Sequence, residues 1–134
     1  MPKSILLCDD EVHILRAAEI KFTRAGFDVR CAGDGLDGWH AIEASCPDIV
    51  VTDCQMPRMN GLQLVKQIRA DERFRQLPII MLTAKGYELP HTELIEKANL
   101  AAIVAKPFSP RELLRMVEEV LETGACHAGD SAHA

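Results

Sequence analysis

Four short runs of this chain are apolar over nearly their whole length: Ile5-Leu6-Leu7-Cys8, Asp48-Ile49-Val50-Val51-Thr52, Pro78-Ile79-Ile80-Met81-Leu82 and Ala102-Ile103-Val104-Ala105. A strand with one solvated face alternates apolar and polar residues, whereas a run apolar on both faces must be covered on both. Between the runs, apolar residues recur at helical rather than alternating spacing. Strand followed by helix, repeated, is the pattern of βαβ units, which build a parallel sheet with helices packed on its two faces.

Five such repeats can be followed. After the first strand, Val12, Ile14, Leu15, Ala18, Ile20 and Phe22 have an approximately helical spacing, and Gly26 suits the position just beyond a helix end. Phe27-Asp28-Val29-Arg30-Cys31 reads as a second strand and Gly33-Asp34-Gly35 as a turn. A second helix carries Leu36, Trp39, His40 and Ile42 up to Cys46-Pro47, with Trp39 expected to pack it on the sheet. The third strand runs into the irregular segment Cys54-Gln55-Met56-Pro57-Arg58-Met59-Asn60-Gly61, after which Leu62, Leu64, Val65 and Ile68 mark a third helix. Following the fourth strand, Pro90 suits the first position of a short helix and Asn99 its left-handed cap. Ser109-Pro110 opens a last helix with Leu113, Leu114, Val117, Val120 and Leu121 on its apolar face. The expected architecture is a doubly wound (βα)5 three-layer α/β sandwich over residues 1–122, with residues 123–134 a frayed tail.

A chain of 134 residues, 48% apolar and 26% charged, is sized and composed for one globular domain with a full core. Its formal charge of −5 and the lack of a Lys/Arg block give no electrostatic case for nucleic acid. No stretch approaches the roughly 18 apolar residues that span a bilayer, and Met1-Pro2-Lys3-Ser4 starts no signal peptide. The five cysteines, Cys8, Cys31, Cys46, Cys54 and Cys126, form no C-x-x-C pair and read as reduced thiols, so a cytoplasmic setting is expected. Acids beside Cys8 and Cys54 raise thiol pKa and argue for structural rather than reactive roles. The histidines have no metal-ligand spacing.

What ends each run matters most. The first strand leads into Asp9-Asp10, the third into Asp53, the fourth into Thr83 and the fifth into Lys106-Pro107. Singly, each has an ordinary explanation: Asp9-Asp10-Glu11 as favourable charges at a helix start, Asp53 as a solvated loop acid, Thr83 as a cap, Lys106-Pro107 as a turn. Parallel strands, however, share one carboxyl edge, and open α/β sheets hold their ligands there. Three carboxylates, a hydroxyl and an amine would meet at that edge.

With Asp9-Asp10, Asp53 followed by Met56-Pro57 and Gly61, Thr83-Ala84, and Lys106-Pro107-Phe108 in view, residues 3–122 resemble the receiver domains of bacterial two-component response regulators. The resemblance implies the 2-1-3-4-5 strand order, for which the chemotaxis member of that family is a standing example. It also implies that Asp53 is the phosphoacceptor, attacking a phosphohistidine on a sensor histidine kinase or histidine phosphotransfer protein. Clustered acids would repel each other and an incoming phosphoryl group, and a divalent cation relieves both problems. Oxygen donors suit Mg²⁺, with Mn²⁺ as a substitute. By the family pattern Asp10, Asp53 and the backbone carbonyl of Gln55 are direct ligands, Asp9 acts through water, and Lys106 and Thr83 contact phosphoryl oxygens. Gln55 and Lys85, each two residues beyond a site residue, occupy the positions that tune dephosphorylation.

One position departs from the pattern: Ile103 stands three residues before the lysine, where the family usually places a rotating Tyr or Phe. Tyr87, in the loop after strand four, could substitute for it, although a surface aromatic is the simpler reading. Output is expected through an unknown protein target, as a monomer or a phosphorylation-dependent dimer, without contact to nucleic acid or membrane. Three alternatives stand beside this: a pseudo-receiver that binds without phosphorylation, a receiver excised from a longer regulator or hybrid kinase, and a dehalogenase-type phosphatase. The phosphatase wants an acid at Gln55 and a cap insertion. Flavin binding is disfavoured because the first strand–helix turn lacks a Ser/Thr/Gly phosphate loop.

Overall fold

A computed structural model of the chain describes residues 2–84 and 99–123. The helix expected from Pro90, the loop positions Lys85 and Tyr87, and the tail beyond Thr123 lie outside the described residues. Five strands, β1 (Ser4–Cys8), β2 (Asp28–Ala32), β3 (Ile49–Asp53), β4 (Ile79–Thr83) and β5 (Ala102–Ala105), form one sheet in the order β2-β1-β3-β4-β5. Every neighbouring pair is parallel. Among the described residues four helices accompany them: α1 (Val12–Arg24), α2 (Gly35–Ala44), α3 (Gly61–Ala70) and α4 (Pro110–Thr123). The expected parallel sheet, its 2-1-3-4-5 strand order and helices on both of its faces are present.

Successive side chains of a strand point to opposite faces, and this divides the apolar runs between two cores. Leu6, Cys8, Val50, Ile79 and Met81 pack with Trp39, Ile42, Leu64, Val65 and Ile68 of α2 and α3. Ile5, Leu7, Ile49, Val51, Ile80 and Leu82 pack with Ala18 and Phe22 of α1 and with Leu113, Val117 and Val120 of α4. The central strands β3 and β4 are buried at every position, which explains their unbroken apolar sequences. Trp39 meets Phe74 edge-on at 5.8 Å, so it does secure α2 to the core. Phe74 belongs to a short 3-10 turn, Glu72–Phe74, that the sequence reading did not separate from the loop.

Helix ends follow local chemistry. Gly26 has φ +97° and Asn99 has φ +53°, the left-handed conformations expected of both. Ser109 and Glu112 exchange hydrogen bonds across the first turn of α4, and Asn60 and Gln63 do the same on α3. The stripe read for α1 needs one correction. Val12 is 66% and Ile20 47% exposed, because the buried line runs through Leu15, Ala18 and Phe22 and leaves those two on other faces. No helix among the described residues is long and apolar enough to cross a membrane.

Candidate functional site

Parallel register carries the strand-end residues to one edge. Cys8 pairs with Thr52, Asp53 with Leu82 and Thr83 with Ala105, so the residues at or just after these positions (Asp9, Asp53, Thr83 and Lys106) crowd together. Asp9, Asp53 and Thr83 are buried, Asp10 is exposed, and the Lys106 side chain is 13% exposed. The sheet edge thus brings together the residues singled out from their positions in sequence. Gln55 lies exposed in the loop leaving β3.

Lys106 is the centre of charge. Its ammonium lies 2.7 Å from Glu11 Oε1, 3.0 Å from Asp9 Oδ2 and 3.3 Å from Asp53 Oδ2. Burial opposes the charge on Lys106, but the hydrogen bond to Glu11 and the charges of Asp9 and Asp53 outweigh it and hold the amine above its ordinary range. Its backbone N–H also donates to the Thr83 carbonyl oxygen at 2.7 Å, which ties the ends of β4 and β5 together. Asp53 moves the other way: burial, then the charge of Asp9, raises its carboxyl above the usual carboxylate range, and Lys106 offsets only part.

Asp9 Oδ1 accepts the backbone N–H of Glu11 at 2.8 Å, which sets the carboxylate at the start of α1. Its buried Oδ2 meets Lys106 only as an ion pair, without hydrogen-bond geometry. That under-used oxygen bears on whether a cation fits. One carboxylate oxygen from each of Asp9, Asp10 and Asp53 lies within 4.8 Å of the other two. The donor set is all oxygen and carries three negative charges against one lysine, the chemistry that suits a hard divalent cation.

Sequence reasoning had given Glu11 only the role of a favourable charge at a helix start. It is in fact the N-cap residue of α1, but its side chain makes no capping bond and reaches Lys106 instead. The signal was present in the acidic run Asp9-Asp10-Glu11; what could not be seen was that residue 106 comes within its reach. The Lys106 hydrogen bond holds the Glu11 carboxyl below the usual carboxylate range. A lowered carboxyl contributes stability that is full above its unfolded pKa and lost as pH falls through the folded value. Glu11 is half-exposed, so solvent screening discounts that contribution. Glu11→Gln is therefore expected to cost under about 1 kcal/mol at pH 7 in chelator. The gap to the unmodified chain should close in acid, as followed by urea unfolding across pH.

Cys8 is buried beneath the site, and burial, followed by the fields of Cys31, Asp34 and Asp9, pushes its thiol up to about 12. It packs into the core shared with α2 and α3, where a thiol held up in this way is a poor nucleophile. Behind Asp53, α3 begins so close to the strand end that a Cβ on Gly61 would lie 2.1 Å from the Asp53 carbonyl oxygen. Glycine here follows from close approach, and the contact locates the backbone of Asp53.

Comparison with known proteins adds to this geometry. A family model described as the response regulator receiver domain matches residues 5–118. Chemotaxis protein CheY1 of Helicobacter pylori strain J99 is 37% identical over 121 residues, covering 89% of this chain and 97% of its own. Among solved structures, chemotaxis response regulator CheY4 of Vibrio cholerae superposes with a TM-score of 0.82 at 25% identity, over 90% of this chain and 99% of its own. The receiver domain of sensor histidine kinase PA1611 from Pseudomonas aeruginosa, with a magnesium ion coordinated in its active site cleft, gives 0.81 at 28% identity, over 92% and 100%.

Proposed function

Because the chain belongs to the response regulator receiver family, we propose that it works as a phosphorylatable switch: Asp53 accepts a phosphoryl group from the phosphohistidine of a sensor histidine kinase or histidine phosphotransfer protein, and the modified chain signals by binding a protein target. The observation that carries this reading is the convergence of Asp9, Asp10 and Asp53 at one sheet edge, with the Lys106 ammonium against Asp9 and Asp53.

In the proposed reaction a carboxylate oxygen of Asp53 attacks phosphorus and the histidine nitrogen leaves with the bonding pair, giving an acyl phosphate. The raised carboxyl of Asp53 reports a site in which negative charge is already costly, and phosphoryl transfer adds more. Asp9, Asp10 and Asp53 would hold Mg²⁺, with the Gln55 carbonyl as a backbone ligand. When bound, the ion would supply neutralising charge at the site where the phosphoryl group arrives. Lys106 already points its ammonium at Asp53 Oδ2 and can follow the charge onto a phosphoryl oxygen, and Thr83 is buried at the end of the adjacent strand as a hydroxyl donor. Gln55 and Lys85 would set how fast water removes the group.

Relay to the surface would run through Thr83, which shares a strand end with Lys106. At the usual aromatic position Ile103 is half-buried and packed against the α2–α3 core. A branched aliphatic there has no ring to swing between core and solvent, so coupling in this chain would pass through the loop after β4. The test is intact mass after incubation with a small phosphodonor such as acetyl phosphate. One phosphoryl adduct is expected with Mg²⁺ and none with a chelator. An unmodified mass in both, together with no uptake of beryllofluoride, would reject the phosphoacceptor reading.

A further inference from the structure

The segment between Asp53 and Gly61 is fastened on two sides. On the inner side, Cys54 N–H donates to the Leu82 carbonyl and Gly61 N–H to the Cys54 carbonyl, each at 2.9 Å. On the outer side it meets the start of α2: Gly35 N–H donates to the Met59 carbonyl at 2.9 Å, and a Cβ on Gly35 would lie 2.1 Å from that oxygen. To follow this path Arg58 takes φ +65°, the left-handed region that costs a long side chain on the order of 1 kcal/mol.

The same residue makes the contacts that offset the cost. Arg58 Nε donates to Asp34 Oδ2 at 2.8 Å and its Nη2 to Asp37 Oδ1 at 2.9 Å. Asp34 meanwhile caps α2, accepting the Asp37 N–H on its other oxygen at 2.8 Å. One guanidinium fork therefore joins the loop that leaves Asp53 to the first turn of a helix that contributes no acid to the cation cluster. Arg58 is 52% exposed, and ion pairs in that setting contribute little to global stability. Their leverage is on which loop conformation is populated.

We propose that Arg58 is a positioning residue, latching the 54–60 loop to the N-terminus of α2 so that Asp53 and the loop backbone are held ready for a divalent cation. The latch rests on the phosphoacceptor reading of the site. Losing it would leave the fold standing and weaken cation binding.

The test is a Mg²⁺ titration of the full chain without phosphodonor, followed by backbone amide shifts, beside urea unfolding in chelator. Arg58→Gly removes the latch and also relieves the positive φ, so Mg²⁺ affinity should fall about three- to tenfold while the unfolding midpoint barely moves. Arg58→Ala should lose the same affinity and, keeping a Cβ at positive φ, unfold earlier. Asp34→Asn with Asp37→Asn keeps a capping oxygen on α2, should reproduce the affinity loss, and should add nothing further to Arg58→Gly. Unchanged Mg²⁺ affinity in Arg58→Gly would overturn the latch while the site reading stands. So would a loss confined to Arg58→Ala, which would trace to strain. A wild-type chain that binds no Mg²⁺ would overturn the site reading and the latch with it.

Discussion

Asp53→Asn is expected to abolish acyl-phosphate formation and, at the same time, to make the cation-free chain harder to unfold. The first effect follows from chemistry: an amide oxygen of the same shape is no nucleophile towards phosphorus, and the described neighbours Asp9 and Asp10 belong to a different strand end. Intact mass after phosphodonor and Mg²⁺ should show no adduct. The second effect follows from the surroundings of Asp53, a buried acid beside another acid, whose carboxyl is raised by burial first and by Asp9 second. For a carboxyl raised in the fold, the stabilising contribution is full below its unfolded value near 3.8 and is lost as pH rises through the folded value. At pH 7 the ionised group is therefore a net cost, held in check by Lys106 at 3.3 Å. A neutral isostere removes that cost, about 1.4 kcal/mol for each pKa unit. Urea midpoints in chelator should be higher for Asp53→Asn at pH 7, and the two chains should converge below about pH 4. A lower midpoint at pH 7 would mean that the lysine's attraction outweighs burial, contrary to the direction drawn here.

Lys106→Met should produce the largest loss of stability among changes at this edge. The thioether fills similar space, so the effect isolates charge. Without the ammonium, Asp9 and Asp53 face each other buried and unbalanced, with Glu11 beside them. Breaking a buried ion pair by removing one partner costs about 3 kcal/mol or more. Because the amine is held above its ordinary range, its contribution is full below its unfolded pKa and is lost only as pH rises through the folded value, so it is constant across neutral pH. Divalent cation should restore much of the loss, since an ion present at about a hundred times its Kd stabilises by about 2.7 kcal/mol. The variant has more uncompensated charge to neutralise and should gain more than the unmodified chain. Urea unfolding with and without Mg²⁺ measures both quantities. Phosphorylation should slow as well, because the proposed cationic partner of the phosphoryl oxygen is gone.

Glu11 and Arg58 show where a linear reading stops. Asp9, Asp10, Asp53, Thr83 and Lys106 could all be picked out because each ends an apolar run, and parallel strands have a shared carboxyl edge. The rule is topological, so it needs no side-chain geometry. Glu11 lies within the same acidic run but reads there as a charge at a helix start; its partner is 95 residues away. Arg58 sits inside an irregular loop with no periodicity to read, and its partners are on a helix 21 and 24 residues earlier. Long side chains choose partners by where their tips arrive in three dimensions, and spacing along the chain carries no record of that.

The same division holds for the fold. Unbroken apolar strands, helical spacing between them, and the helix ends at Gly26 and Ser109 were local properties, set by side-chain sterics and hydrogen bonding within a few residues. From them the (βα)5 architecture was determined before any coordinate. The tertiary structure alone decided that Val12 and Ile20 stay exposed, because burial depends on what packs opposite and not on hydropathy. It alone decided that the Lys106 ammonium takes Glu11 as a partner beside Asp9 and Asp53, because side-chain tips separated by most of the chain become neighbours only when the strands align.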